Sequence, residues 1–240
     1  RPRARNSSRR GICLPLMMGL ILLCAAVVKA ETAAGEPERE TSAARVPAAP
    51  EDGGPRNWEV TGVSHVLNLR EQPSATARIV ARYAPGTILD NLGCQRTDGR
   101  FWCDVQRLGG GPRGYVSAEF LRPAVSPDGD VATGPDDSAL RAGQGKFDAT
   151  GSIPCAQFIG QPMTQCEFGV ARAGGGYATL VIKKPDGRTR AIFFRMGKPT
   201  GADTSEADPG EFNATREGDL NFIRIGNERY EIPNAVALGG

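Results

Sequence analysis

The sequence predicts an all-β protein made of two small antiparallel domains. Three observations carry this. Short runs rich in Val, Ile, Thr, Tyr and Phe recur between Gly, Pro and Asp turn signals. Outside the N-terminal segment no stretch holds a helical period. Four cysteines, Cys94, Cys103, Cys155 and Cys166, lie within those two regions. The first domain is expected over residues 57–122 and the second over 147–240.

In the first region Val66–Leu69 opens a strand, and Gln72-Pro73-Ser74 turns the chain. Ile79–Tyr83 follows. Ala84-Pro85-Gly86 then makes a turn in which Pro presets φ and Gly supplies conformational freedom. Thr87–Leu92 is the next apolar strand. Thr97-Asp98-Gly99 carries the Asp-Gly signal of a tight hairpin, with Phe101–Val105 as its return strand. Arg113-Gly114-Tyr115-Val116 enters the last strand. Five or six short strands of this kind close most simply as a small barrel.

The ordered blocks of this region resemble the bacterial SH3 domain. They are LNLREQPS at 67–74, YAPGTILDNLG at 83–93, GRFWCDVQ at 99–106 and RGYVSAEFL at 113–121. Phe120 stands where that family commonly has Tyr, and Asp104 where Lys is common. The resemblance implies an SH3-like barrel of the kind appended to cell-wall hydrolases and other exported proteins. It also implies a peptidoglycan stem or cross-bridge peptide, held in a shallow groove, as ligand. Carried to this chain, that places binding on Asn68, Arg70, Glu71 and Tyr83. Tyr83, Phe101, Trp102 and Tyr115 offer aromatic area for such a groove, while a barrel of this size is expected to spend at least half of them on its core.

In the second region the expected strands are Cys166–Ala173, Tyr177–Lys184, Arg188–Met196, Glu211–Glu217, Leu220–Ile225 and Arg229–Ile232. Pro185-Asp186-Gly187, Glu217-Gly218-Asp219 and Gly226-Asn227-Glu228 join neighbours as hairpins. Gly174-Gly175-Gly176 reads as a turn, since no helix follows that would make it a phosphate cradle. The result is a small antiparallel sheet or barrel, similar to the uncharacterised tail of some exported bacterial SH3 proteins.

The flanks read differently. Five arginines precede an apolar run from Gly11 to Val28, and Val28-Lys29-Ala30 places small residues as signal peptidase requires. Residues 1–30 are therefore expected to be a signal peptide cleaved after Ala30, and the competing reading is a retained membrane anchor. Residues 31–56 and 123–146 are rich in Ala, Pro, Gly and acidic residues and are expected to be a disordered spacer and a second linker.

Without residues 1–30, which hold six of the 29 basic residues and no acidic one, the balance is 23 against 27, a net charge of −4. Neither domain is a basic footprint, so nucleic acid is not an expected partner. The expected partner is a cell-wall peptide or a periplasmic protein, in a periplasmic or secreted location.

The four cysteines allow three pairings, of which proximity favours Cys94–Cys103 and Cys155–Cys166. Each loop of about ten residues is worth roughly 2.5–3 kcal/mol in the chain-entropy model. Their spacings are too wide for Cys-x-x-Cys zinc ligation, and no histidine is near.

Catalytic groups are scarce. His65 is the sole histidine, which removes the usual partners for Ser–His or Cys–His chemistry. Asp203, Glu206, Asp208 and Glu211 form an acidic cluster that reads as a solvated loop rather than a calcium site or acid–base pair. The expectation is a non-enzymatic binding protein without metal or cofactor. The alternative is a cell-wall-active enzyme or an inhibitor, with its activity in 147–240.

Overall fold

Two antiparallel sheets dominate the computed structural model, which describes residues 46–204 and 210–239. The expected signal segment 1–30 and residues 31–45 of the expected spacer lie outside the described residues.

The first sheet contains β1 (Asn57–Val60), β2 (Leu67–Arg70), β3 (Ile79–Tyr83), β4 (Ile88–Thr97), β5 (Arg100–Arg107), β6 (Arg113–Ser117) and β7 (Leu121–Pro123). Its order is β3-β2-β6-β5-β4-β1-β7, and it curls into a nearly closed barrel. Alternation decides which side chains go inside. In β2, Leu67 and Leu69 face the core while Asn68 and Arg70 face out. Leu89, Cys103, Val105 and Val116 complete the interior with Trp58, Val60 and Tyr83. The β4–β5 turn is Asp98-Gly99, both at positive φ (49° and 77°), as an Asp-Gly hairpin requires. Cys94 and Cys103 face each other across this hairpin and are disulfide-bonded.

Gly114 in β6 explains the Gly of the Gly-Tyr-Val block. A Cβ there would lie 2.5 Å from the Arg70 carbonyl oxygen and 3.0 Å from Leu69, so only glycine lets β6 approach β2. Gly114→Ala is expected to destabilise the barrel by about 1–3 kcal/mol through this overpacking. Urea unfolding checks it: an unchanged midpoint would show that the β2–β6 contact does not close the barrel.

The second sheet contains β8 (Ala149–Ala156), β9 (Thr164–Arg172), β10 (Ala178–Lys183), β11 (Thr189–Arg195), β12 (Lys198–Ala202), β13 (Phe212–Glu217), β14 (Leu220–Ile225) and β15 (Glu228–Pro233). Its order, β12-β11-β10-β9-β8-β15-β14-β13, is an up-and-down meander whose edges β12 and β13 come back into contact. Ile153, Val170, Leu180, Ile182, Ile192, Phe194, Ile223, Ile225 and Ile232 fill its interior. The Cys155–Cys166 disulfide ties β8 to β9.

Two of these strands are not expected from the sequence. β8 reads ATGSIPCA and β12 reads KPTGA, and Gly and Pro weaken both. The structure accommodates them locally. Pro154 pairs only with β9, because the β8–β15 ladder covers just Cys155 and Ala156. β12 lies at the sheet edge, where proline is tolerated.

The expected linker 123–146 is a packed connector instead. Ala124, Ser126, Ala132, Ser138 and Ala142 are buried, and α1 (Ser138–Gly143) lies against β9 and β10. Residues 46–56 of the expected spacer are ordered too. Pro50–Asp52 form a 3₁₀ turn, Pro55 bridges to Thr133, and Arg56 is buried. Both segments hold few large apolar side chains, and Val46, Val125, Val131 and Leu140 are exposed, which is why they read as linkers. Small residues nevertheless bury well when two barrels supply the surface.

That surface is a joint between the sheets. Ala124, Ala132, Tyr177 and Met196 form a third apolar cluster, with Ile88 and Leu108 packed on it. Arg56 donates to the carbonyls of Gly134 (2.7 Å), Pro135 (2.8 Å) and Ala173 (3.0 Å), and its guanidinium lies 4.8 Å from the Tyr177 ring centre. The Tyr177 hydroxyl donates to Asn57 Oδ1 at 2.6 Å, and Asn57 Nδ2 donates to Asp90 at 3.0 Å. Arg195 of β11 completes the chain with a 3.1 Å ion pair to Asp90. Burial pushes the Tyr177 phenol up to about 12.

Burial also raises the Asp90 carboxyl, against the pull of Arg195 and Asn57. A carboxyl raised in the folded state binds its proton more tightly there. Its contribution to stability therefore falls as pH rises from about 3.8 through the raised value. Asp90→Asn is expected to flatten that slope and to change stability at pH 7 by less than about 1 kcal/mol, since Arg195 is well exposed. Thermal unfolding at several pH values reads it. A variant that keeps the wild-type slope would assign the pH dependence to another group.

Candidate binding site

The outer face of the first barrel carries a groove of about 260 Å³. The register explains its composition. Trp102 alternates with core residues Cys103 and Val105, so it points outward, opposite Ser117 of β6. It is nonetheless only 5% exposed, because the 3₁₀ turn Ala118–Phe120 folds over β5. Trp102 thus forms a floor. Val63, Val66 and Phe120 are the apolar walls, and Asn68, Arg70, Arg100, Ser117 and Glu119 supply the polar rim. Ser117 donates to Glu119 at 2.9 Å, which fixes the carboxylate over one side. Arg70 donates to the Ala77 carbonyl at 2.7 Å, which pins the β2–β3 loop beside the groove.

Of the four residues the sequence places in binding, the structure brings together two. Asn68 and Arg70 share this groove. Glu71 is not in it; it is exposed and paired with Arg78 in the β2–β3 loop at 3.0 Å. The Arg78 hydrogen bond and charge hold its carboxyl below the usual range. Tyr83 is a correction. It pairs with Leu67 on the inner face, is 7% exposed, and belongs to the core. Alternation in β2 and β3 separates it from Asn68 and Arg70, a signal present in the sequence. Trp102 and Phe120 stand out in the sequence as block residues, but only the covering turn makes one the floor and the other a wall.

The second barrel encloses a charged cluster that sequence reasoning misses. Lys184, Arg190, Glu228 and Tyr230 are buried together at the end where the β10–β11 and β14–β15 hairpins meet. Glu228 accepts from Lys184 Nζ at 3.1 Å, Arg190 Nε at 2.8 Å, Arg190 Nη2 at 3.0 Å and the Tyr230 hydroxyl at 2.8 Å. Burial works to raise the Glu228 carboxyl, but the bonds from Arg190, Tyr230 and Lys184 hold it below its ordinary value. Burial drives the Tyr230 phenol upward. These side chains bind one another and so keep their charges paired inside the barrel. Period-two alternation is the available signal: Arg190 aligns with Ile192 and Phe194, and Glu228 with Tyr230 and Ile232.

His65 is exposed in the loop before β2. Asp203 uses its backbone: its carbonyl accepts from Arg190 and its N–H donates to Ala191 at 2.9 Å. Glu211 is exposed, and Glu206 and Asp208 lie outside the described residues. All four cysteines of the two barrels are in disulfides, Cys94–Cys103 and Cys155–Cys166. Among the described residues no helix is long and apolar enough to cross a membrane.

An SH3-like barrel with an aromatic-floored outer groove defines a class of small binding module. The family comparison agrees: residues 65–122 match the bacterial SH3 domain. No curated protein matches the chain. The match covers β2 through the Phe120–Arg122 segment and leaves β1, the connector and the second barrel outside it. Two disulfides, and a module often associated with cell walls, are compatible with an extracytoplasmic location.

Proposed function

We infer that this chain is an exported, non-enzymatic binding protein of the bacterial envelope, whose first barrel takes an extended cell-wall peptide. The observation that carries this reading is the Trp102-floored groove. It sets two guanidinium groups and one carboxylate around an apolar strip, which suits a peptide bearing small side chains and a carboxylate. Its size fits one or two residues of such a peptide. Support for a non-enzymatic role is chemical: the sole histidine is exposed at the barrel edge, and the four cysteines are bonded. The signal-like segment 1–30 and the disulfides support a periplasmic setting.

Co-sedimentation of the full chain with purified sacculi tests the reading. Wild type is expected to pellet with the wall and to leave it undigested. Val66→Glu in the groove wall and Arg100→Glu on its rim are each expected to weaken retention at least tenfold without changing thermal stability. Absent retention, or variants that bind as wild type does, would overturn the wall-peptide assignment. Release of soluble wall fragments would instead favour an enzyme.

A further inference from the structure

The β8–β9 connection is the least ordinary surface of the molecule. Phe158 is 62% exposed and Ile159 is 79% exposed, side by side at its tip. A loose loop would explain this cheaply, but the loop is tied down. The Cys155–Cys166 disulfide closes its base, and Thr164 Oγ1 donates to the Cys155 carbonyl at 3.2 Å. Gln161 Oε1 accepts from the backbone N–H groups of Gln157 (2.8 Å) and Phe158 (3.1 Å). Arg229 of β15 reaches under the loop and donates to the Gln161 carbonyl. A fixed loop that holds two large apolar side chains in water is a preorganised contact.

Beside it lies a matching hollow. The outward residues of β13, β14 and β15 are in register: Asn213 with Arg224, Thr215 with Phe222, Phe222 with Glu231. Together with Met163 of the same loop they line a groove of about 400 Å³. Knob and hollow thus share one patch, since Met163 of the loop lines the hollow.

We propose that this patch is an isologous dimer interface, in which the Phe158–Ile159 tip of each copy enters the β13–β15 groove of the other. Self-complementarity is what a two-fold contact requires: the same patch must offer both the projection and the receptor. Charge agrees. From Gln157 to Gln165 the loop has no charged residue, so its insertion sets no like charges opposite Arg224, Arg229 or Glu231. Every contact is made twice, which lets a small patch approach the area of a specific interface. A lipid surface fits less well, because a fluid bilayer gains nothing from a rigid loop and the loop carries no Lys or Arg for anionic headgroups.

Sedimentation equilibrium of the full, disulfide-intact chain tests this, up to on the order of 100 µM. Wild type is expected to self-associate to twice the monomer mass. Ile159→Asp spoils the knob and Thr215→Trp fills the groove. Each alone is expected to weaken association at least tenfold with an unchanged melting temperature. Mixed in equal amounts, the two variants are expected to form a heterodimer tighter than either self-pair, because one intact knob then meets one intact groove. A monomeric wild type, association indifferent to both substitutions, or no recovery on mixing would overturn the proposal. So would flotation of wild type with anionic phospholipid vesicles that Ile159→Asp abolishes, which would assign the loop to membranes. None of these readouts depends on the first barrel's groove.

Discussion

Glu228→Gln is expected to destabilise the chain by about 3–5 kcal/mol, the largest effect of any single substitution considered for the second barrel. The physical reason is the asymmetry of buried ion pairs. Lys184 and Arg190 have side chains only 1% exposed, and the Glu228 side chain is 6% exposed. Gln keeps the shape but removes the negative charge, and it turns an amide toward two cations and a phenol that all donate. At roughly 2–4 °C per kcal/mol for a chain of this size, the melting temperature should fall by on the order of 10 °C.

Acid sensitivity gives a second, independent reading of the same residue. The Glu228 carboxyl lies below its ordinary value in the folded state. Its stabilisation is therefore present above about pH 4.5 and is lost as pH falls through the lowered value. The gap between wild type and Glu228→Gln should narrow on acidification, opposite in sign to the Asp90 effect. Calorimetry at neutral pH and again below the ordinary Glu value measures both. A variant as stable as wild type at neutral pH would show that the cluster is not what organises this end of the barrel.

Arg56→Ala is expected to uncouple the two barrels. Wild type should unfold in one cooperative transition, because the apolar cluster around Tyr177 and Met196 and the Asn57–Asp90–Arg195 chain join both sheets. Removing Arg56 strips three charge-assisted bonds from the carbonyls of Gly134, Pro135 and Ala173 and a stacked cation from Tyr177. The cost should be about 3–5 kcal/mol, concentrated at the joint. The expected calorimetric result is two separated transitions. Arg56→Lys should not restore the single one, since an ammonium cannot reproduce the planar fork. A single transition in Arg56→Ala would mean that the apolar cluster alone couples the barrels.

Much of the first barrel is legible in the sequence, for local reasons. Asp98-Gly99 supplies both positive φ values of the hairpin, and Ile79–Tyr83 is bounded by turn residues. Among the second barrel's strands, Leu220–Ile225 is dense in apolar residues at period two and has the limits expected of it. The binding residues are half legible. Asn68 and Arg70 face outward by alternation. Tyr83 looks like a ligand contact only while its aromatic ring is weighed without its facing. The connector is illegible, because small residues such as Ala124 and Ala132 become core only where another surface meets them.

The glycine triplet shows the same limit. Gly174-Gly175-Gly176 reads as a turn, and its three residues do have positive φ. But a Cβ on Gly175 would sit 2.5 Å from that of Ala132, and one on Gly176 would sit 2.2 Å from the Gly197 backbone nitrogen. The triplet is where the connector seats against the second barrel.

Local chemistry encodes the all-β class, most strand positions, the bacterial SH3 blocks and, through proximity, the two disulfides. Period-two alternation, turn residues with particular φ and short loop closure are each written within a few neighbouring residues. Three-dimensional packing alone makes Trp102 a groove floor. It alone lets Arg56, Asn57, Asp90, Tyr177 and Arg195 weld two barrels through a segment that reads as linker. That joint depends on pairs such as Arg56 with Gly134 and Asn57 with Tyr177, 78 and 120 positions apart, meeting across a surface, and no local preference of the chain encodes such a meeting.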